Sequence, residues 1–319
     1  MMSHTQPSTD RESDNRPGTS ASLTISFDLE LAWGSIENGQ WRAAEAAGVF
    51  TRTREAMALL LGQMDATDIA ATWAMVGAMC EPAREAIIDH LPAELCLTWH
   101  QFQQQARPDS QDGRDLVDDI TGRRAAHVFC SHSYSHLRYR HPIASAEFAA
   151  ADLQLTRDRR PQELPWTEAF VFPRNDERFH EVLRDQGIRL VRGSDQPPYT
   201  GRGWRRQWDR LCRYTTIPPA SRRTTILPGL DRVSDSMGYL TGGPAVLAPV
   251  VQWRAFRGLD AAVRRRHNLH IWTHPFNFAQ DARLLAGFLR VLRRAARLRD
   301  QGILEILPCQ AGATAGSAS

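Results

Sequence analysis

Short apolar stretches alternate with longer segments of helical periodicity along most of the chain. Seven stretches have the length and apolar character of buried strands: residues 22–27 (SLTISF), 69–76 (IAATWAMV), 125–130 (AAHVFC), 168–172 (EAFVF), 188–192, 268–273 (NLHIWT) and 303–307. Apolar residues at helical spacing, with Pro and Gly at the ends, predict helices at residues 51–63, 81–90, 144–157, 177–186, 250–266 and 282–299. Strands that alternate with helices in this way are typical of parallel βαβ units.

The fold class that this pattern predicts is α/β. Seven or so strands without a dinucleotide fingerprint favour a (β/α)-type barrel over an open sheet, although periodicity alone leaves both open. Residues 195–249 are less regular and rich in Arg, Trp, Gly and Pro, so we expect an irregular insertion near the functional site. We therefore predict a disordered tail over residues 1–20, one folded domain over 21–310 and a flexible tail over 311–319.

Composition narrows the class of protein. With 319 residues, 42% of them hydrophobic and 24% charged, the chain can bury a substantial core. The net charge of +3 argues against a dedicated nucleic-acid binder. The five cysteines are scattered and form no CxxC pair, which disfavours a disulfide framework and a structural zinc knuckle.

The compartment is inferred from what the sequence lacks. The first twenty residues are polar and contain no apolar signal-peptide core, and nowhere do 18 apolar residues run together. We therefore expect a cytoplasmic protein without a transmembrane segment.

Polar and ionisable residues follow four of the predicted strands. They are Asp28 and Glu30, His132 and His136, Arg174, and His274. In α/β barrels the functional groups lie at the carboxyl ends of the strands, so these side chains are expected to converge on one face.

The two histidines and the two acids suggest a metal-dependent hydrolase. His132 and His136 are four residues apart, which on a helix would place both rings on one side, and two His with a carboxylate form a known catalytic zinc site. Asp28 and Glu30 are two apart, so on an extended chain they face the same way, one as a metal ligand and the other as a base. Each feature alone is also compatible with an ordinary surface helix or an acidic turn.

The remaining two candidates have supporting roles. Arg174 would orient a carboxylate and keep it ionised. His274 would donate a proton, because the reference pKa of histidine suits proton transfer near neutral pH. A surface arginine and a structural histidine are the alternatives.

The motifs SFDLE, SHSYSH, FVFPRN and IWTHP, in this order, resemble those of the polysaccharide deacetylases, the NodB-homology domains of carbohydrate esterase family four. The resemblance extends over most of residues 22–308 and includes ATWAMVG. It implies a distorted (β/α)7-type barrel that uses a divalent metal, usually Zn²⁺, to remove acetyl groups from N-acetylated sugars.

The resemblance also implies roles for individual residues. Asp28 would be the base, His132 and His136 metal ligands, Arg174 the tether of the base, and His274 the proton donor. The family's first motif has two adjacent aspartates, but here Leu29 occupies the second position, so Glu30 becomes the third ligand. In the third motif the arginine follows the proline instead of preceding it, and no clear fourth motif is present; Asp195 or Asp209 are candidates for it.

Two other functions remain open at this level. One is hydrolysis of other C–N bonds in small amides or ureides, as in allantoinases, and the other is non-catalytic sugar binding. For a cytoplasmic deacetylase we expect a nucleotide-linked or lipid-linked sugar or a nascent polysaccharide as substrate. Residues 202–213 (RGWRRQWDRLCR) would then form a lip for phosphate or for peripheral membrane contact, unless they are a solvated helix.

Overall fold

A curled sheet runs through the part of the chain that the computed structural model describes, residues 20–81, 88–195, 215–240 and 247–309. Its ten strands in this part are β1 (Ser22–Leu29), β2 (Thr72–Met75), β3 (Val128–Ser131), β4 (Trp166–Val171), β5 (Leu190–Gly193), β6 (Arg223–Leu227), β7 (Leu230–Ser234), β8 (Met237–Gly238), β9 (Asn268–Thr273) and β10 (Glu305–Ile306). The strand order is β6-β7-β5-β4-β3-β2-β1-β9-β8, with β10 also paired to β1.

Nearly all neighbouring strands are parallel, and only the β6–β7 hairpin is antiparallel among the described pairs. All eight residues of β1 are buried, as expected of a central parallel strand covered on both faces. The sheet curls into an open half-barrel with helices around it. The prediction of a distorted (β/α) barrel is therefore confirmed.

Helices connect the strands and cover the outside of the barrel. They are α1 (Trp41–Ala46), α2 (Val49–Thr67), α3 (Ala93–Gln105), α4 (Pro108–Gln111), α5 (Arg114–Thr121), α6 (Ala146–Arg159), α7 (His180–Asp185), α8 (Ala248–Arg265), α9 (Pro275–Gln280) and α10 (Ala282–Asp300). Among the described residues, three short 3₁₀ helices lie at Leu31–Ser35, Gly77–Cys80 and Pro173–Asn175, each soon after a strand. No helix in the described residues is both long and apolar enough to cross a membrane.

The predicted helix ends have identifiable local causes. Ser145 begins α6 by accepting a hydrogen bond from the Phe148 amide, and Asp281 does the same for α10 through the Arg283 amide. Gly187 follows α7 with φ of 84°, so the prediction that glycine closes this helix is confirmed. The main core lies between the sheet and these helices, where Phe27 and Trp73 stack with ring centroids 4.3 Å apart.

The irregular segment turned out to contain regular structure. Within residues 195–249 the chain forms the β6–β7 hairpin and the short strand β8, which extend the sheet at its two edges. The helices α3 and α5 were also not predicted. The predicted helix at 81–90 lies largely outside the described residues, as do residues 202–213, Asp209 and most of the two predicted tails.

Candidate active site

Three buried side chains meet at the carboxyl end of the central strands. Glu30 follows β1, and His132 follows β3, with His136 four residues later. The Nε2 atoms of His132 and His136 lie 3.2 and 2.8 Å from the same Glu30 oxygen, Oε2. One donor atom from each residue lies within 4.8 Å of the others, so the group could hold one metal ion.

The spacing of the two histidines suggested that a helix would bring them together. In the structure a loop does so instead. Ser133 and His136 have φ angles of 66° and 60°, in the left-handed region. The chain thus turns twice within five residues, and the two rings end with centroids 4.9 Å apart at an interplanar angle of 69°. The Ser133 hydroxyl accepts a hydrogen bond of 2.8 Å from the His136 amide across this turn.

The hydrogen-bond partners of His132 fit a metal ligand. Its Nδ1 lies 2.8 Å from the Val171 carbonyl oxygen, to which only a protonated nitrogen can donate. In a neutral ring the Nε2 atom then has a lone pair that faces the Glu30 carboxylate. A cation between the two would remove this repulsion, and a backbone partner on the other ring nitrogen is usual for metal-binding histidines.

His136 has a similar character. Its Nε2 makes no hydrogen bond, because its close approach to Glu30 is poorly aligned for one. Burial lowers the pKa of His136, although Glu30 opposes this, so the ring is neutral at neutral pH as a ligand must be. Burial alone would raise the pKa of Glu30, but His274, His136 and His132 together hold it well below its ordinary value.

The backbone beside Glu30 leaves room for its carboxylate. A Cβ atom on Gly34 would lie 2.0 Å from Glu30 Oε1, a distance that no real contact reaches. Glycine at this position in the 3₁₀ helix Leu31–Ser35 therefore allows the Glu30 side chain to turn toward the histidines.

Asp28 is paired with an arginine that the sequence analysis missed. Arg192 in β5 donates two hydrogen bonds to it, from Nη1 to Oδ1 at 2.6 Å and from Nη2 to Oδ2 at 2.7 Å. Burial would raise the pKa of Asp28, but Arg192, His132 and His274 bring it below its ordinary value. The carboxylate is therefore ionised at neutral pH.

This geometry corrects the role expected of Arg174. Arg174 lines the same cavity, but its side chain is exposed and donates to the Gly34 carbonyl oxygen at 3.0 Å instead of contacting Asp28. The Pro173–Asn175 turn, with Arg174 itself at φ 57°, directs it away from the base. A signal for Arg192 was present, because it is the charged last residue of a predicted strand, the position at which functional groups are expected.

His274 lies at the mouth of the site, immediately after β9. Its Nε2 is 3.5 Å from Glu30 Oε1 and 3.9 Å from Asp28 Oδ2, so the two acids face the same side, as their spacing predicted. The Asn277 amide nitrogen lies 3.3 Å from Nδ1 and can donate to it, which leaves the proton of a neutral ring on Nε2. The ring stacks on Phe276 with centroids 4.8 Å apart.

An acidic residue does contact the end of β9, but it is neither Asp195 nor Asp209, the two candidates for the fourth motif. Asp235, between β7 and β8, accepts a hydrogen bond from Nε1 of Trp272, whose ring is in edge contact with His274. Burial raises the pKa of Asp235. Asp195 instead pairs with Arg232 and is half exposed, and Asp209 lies outside the described residues.

The site opens into a cavity of about 720 Å³. All six residues selected from the sequence line it: Asp28, Glu30, His132, His136, Arg174 and His274. The opposite wall is formed by α1, the start of α2 and Phe276. The two candidate ligand histidines, an ionised pair of acids and the half-buried His274 thus face one space large enough for a sugar.

Comparison with known proteins gives a match at the level of structure alone. No protein-family model and no curated protein matches the sequence. A protein of Mycobacterium smegmatis assigned as a polysaccharide deacetylase superposes with a TM-score of 0.62 at 12% identity, covering 94% of this chain and 91% of its own. A Pseudomonas aeruginosa PAO1 protein with the same assignment gives 0.56 at 10% identity over 92% and 90%. The allantoinase Puue gives 0.55 at 12% identity over 95% and 94%.

Proposed function

We propose that this chain, which has the polysaccharide-deacetylase fold, is a metal-dependent hydrolase that removes an N-acetyl group from an N-acetylated sugar. The observation that carries the proposal is the buried Glu30–His132–His136 group, with the Asp28–Arg192 pair beside it and His274 at its mouth. Two superposable structures assigned as polysaccharide deacetylases support it.

The ligand set favours zinc. Two imidazole nitrogens and one carboxylate, with space left for water and substrate, are the usual catalytic arrangement for Zn²⁺. A divalent ion held by Glu30, His132 and His136 would supply a Lewis acid that polarises the amide carbonyl and makes water more acidic.

The protein's own groups would then move the protons. Asp28 would accept the proton that water loses as it attacks the carbonyl carbon, and Arg192 keeps Asp28 ionised until that step. Since its pKa is low, Asp28 is a weak base, so the reaction depends on the acidified water. His274, protonated on Nε2, would deliver a proton to the leaving nitrogen, and its contacts with Asn277 and Phe276 hold the ring in place.

We propose a glycan-biosynthetic substrate in the cytoplasm, in which the acetylated sugar is linked to a nucleotide or a lipid, with a peripheral membrane contact in the second case. The phosphate-binding character of the arginines in residues 202–213 supports this choice. A weakening of substrate binding in a chain with Arg205 and Arg206 changed to Gln would support the lip; unchanged affinity and membrane association would contradict it.

A second candidate function is hydrolysis of a C–N bond in a small amide or ureide. The superposition with the allantoinase Puue favours it as a specific alternative, since it covers as much of the chain as the others. Both reactions attack a carbonyl carbon bound to nitrogen, so the same side chains would serve either one.

Acetate release from a panel of N-acetylated nucleotide sugars and lipid-linked sugars, with allantoin and simple amides alongside, separates these possibilities. Each reaction is run with and without a chelator. Chelator-sensitive release of acetate from a sugar supports the proposal, whereas turnover of allantoin alone would favour the alternative. A protein that binds no divalent metal and turns over nothing would be a non-catalytic relative.

A further inference from the structure

Asp152 on α6 accepts hydrogen bonds from the loop that carries the two histidines. Asp152 is completely buried, and none of its described hydrogen bonds involves Glu30 or the side chain of His132 or His136. Its Oδ2 accepts a hydrogen bond from the Tyr134 amide at 2.9 Å, and its Oδ1 accepts from the Ser135 amide at 3.0 Å. These are the two backbone groups between the left-handed residues Ser133 and His136.

Further donors complete the surroundings of this carboxylate. The Ser135 hydroxyl donates to Oδ1 at 2.7 Å and the Tyr139 hydroxyl to Oδ2 at 3.2 Å. His90 Nε2 lies 3.2 Å from Oδ1. In every described contact with the loop, a loop group therefore donates a hydrogen bond to a carboxylate oxygen of Asp152. An ionised carboxylate can accept all of these bonds because it carries no hydrogens of its own.

The carbonyl groups of the same loop have separate partners. The amides of Gly77 and Ala78 donate to the carbonyl oxygens of Ser133 and Tyr134, each at 3.0 Å. Trp99 Nε1 donates to the Ser135 carbonyl oxygen at 3.1 Å. Asp152 thus accounts for the amide side of a turn whose backbone is unfavourable for residues other than glycine.

We propose that Asp152 is a positioning residue for the metal site: it fixes the turn at Tyr134 and Ser135 and thereby aims His132 and His136 at Glu30. The inference rests on the proposed function, since it takes the two histidines to be metal ligands. In this role Asp152 acts through the loop and contacts neither substrate nor metal. Its effect is to preorganise the ligands, so that binding does not have to order the loop.

The test is the Zn²⁺ affinity of the full chain, measured by competition with a chromophoric chelator. Asp152→Asn keeps the volume but places an NH₂ group among donors, so the turn loses an acceptor. We expect a 10- to 100-fold weaker affinity, the range typical of partners that orient metal ligands. The matched control is Asp158→Asn on the exposed face of the same helix, for which we expect a change of less than about twofold.

Two further readouts separate positioning from general stability. Amide hydrogen exchange at Tyr134 and Ser135 should accelerate in the Asp152 variant relative to the control, and the visible spectrum of the Co²⁺-loaded protein should change. A variant that melts at lower temperature but, when folded, binds Zn²⁺ as the wild type does would overturn the inference.

A milder variant covers the case in which Asp152→Asn does not fold. Ser135→Ala removes the shortest of these hydrogen bonds and leaves the Asp152 carboxylate in place. We expect a several-fold weaker Zn²⁺ affinity, and unchanged affinity would contradict the inference. None of these measurements uses a sugar, so they test the role of Asp152 separately from the reaction. If the wild-type protein binds Zn²⁺ but releases no acetate from any sugar, the proposed reaction is contradicted while the role of Asp152 is not.

Discussion

Asp28 is subject to two opposing influences at the scale of the single residue. Its burial disfavours the charged form, whereas the two-pronged contact with Arg192 favours it strongly enough to lower its pKa. Arg192 is itself 1% exposed, and its pKa is raised by the same contact against the effect of burial. Each charge is therefore tolerated inside the barrel only because the other is present.

Loss of Arg192 should therefore lower the stability of the fold as well as the rate of the reaction. Arg192→Met leaves the Asp28 charge without its partner, so we expect a free energy of unfolding lower by about 3–5 kcal/mol in urea titrations. Arg184→Gln, which breaks an exposed pair with Asp185, should change it by less than about 1 kcal/mol. Equal effects of the two substitutions would show that the buried pair has no special weight.

Asp28 and His132 should differ in what their loss removes. Asp28→Asn keeps the metal ligands, so we expect retained Zn²⁺ with turnover reduced by about 10²- to 10⁴-fold, the usual contribution of a general base. His132→Ala should lose both metal and turnover. Metal content by plasma emission spectrometry and acetate release check the pair together. Wild-type turnover in Asp28→Asn would rule out its role as the base.

At the scale of the element, the short turns after the strands shape the site more than the strands do. Glu30 leads into the 3₁₀ helix Leu31–Ser35, in which Gly34 leaves the space that the Glu30 carboxylate occupies. The turn at Pro173–Asn175 directs Arg174 out of contact with Asp28. These turns are short and irregular, so their geometry depends on the neighbours that pack on them.

Two glycine substitutions separate this steric role from a general effect of glycine. Gly34→Ala should push the Glu30 carboxylate out of place, and we expect at least a tenfold weaker Zn²⁺ affinity. Gly62→Ala in α2, where an added Cβ meets nothing within 4 Å, should leave affinity unchanged and raise stability by up to about 1 kcal/mol. Calorimetric titration with Zn²⁺ and urea unfolding measure the two effects, and full affinity in Gly34→Ala would contradict the steric argument.

At the scale of the whole molecule, buried histidines away from the cavity link stability to pH. Burial lowers the pKa of His127 to about 4, and its Nδ1 accepts a hydrogen bond from the Ala71 amide at 3.1 Å. Burial likewise lowers the pKa of His270 to about 3. The unfolded chain therefore binds more protons than the folded one between these values and the ordinary histidine pKa of about 6.5.

Stability should accordingly fall as the pH falls from about 6.5 to 4. Each of these histidines contributes up to about 1.4 kcal/mol per pH unit within its window. His127→Asn keeps an acceptor for Ala71 but does not titrate, so urea unfolding of the metal-free variant should show a shallower pH dependence than the wild type. His100→Asn, at an exposed position, is the control. An unchanged slope for His127→Asn would show that this ring is not neutral in the fold.

The sequence by itself determined the alternation of strands and helices and the functional groups that follow the strands. Strands β1, β3 and β9 were found because an apolar run is a local property. Their end residues converge because the carboxyl ends of parallel strands share one edge. The alternation of side chains along an extended chain placed Asp28 and Glu30 on the same side, and the resemblance to the deacetylase motifs then assigned Glu30 as the ligand.

Only the tertiary structure decided which partners these groups have. Arg192 and Asp28 are 164 positions apart, and whether Arg174 or Arg192 reaches the base depends on the order of strands in the curled sheet. The turn at the two histidines required contacts from α6 that no pattern within SHSYSH contains. Pairing and turn geometry arise from packing between distant segments, and such packing has no signature in the local spacing of residues.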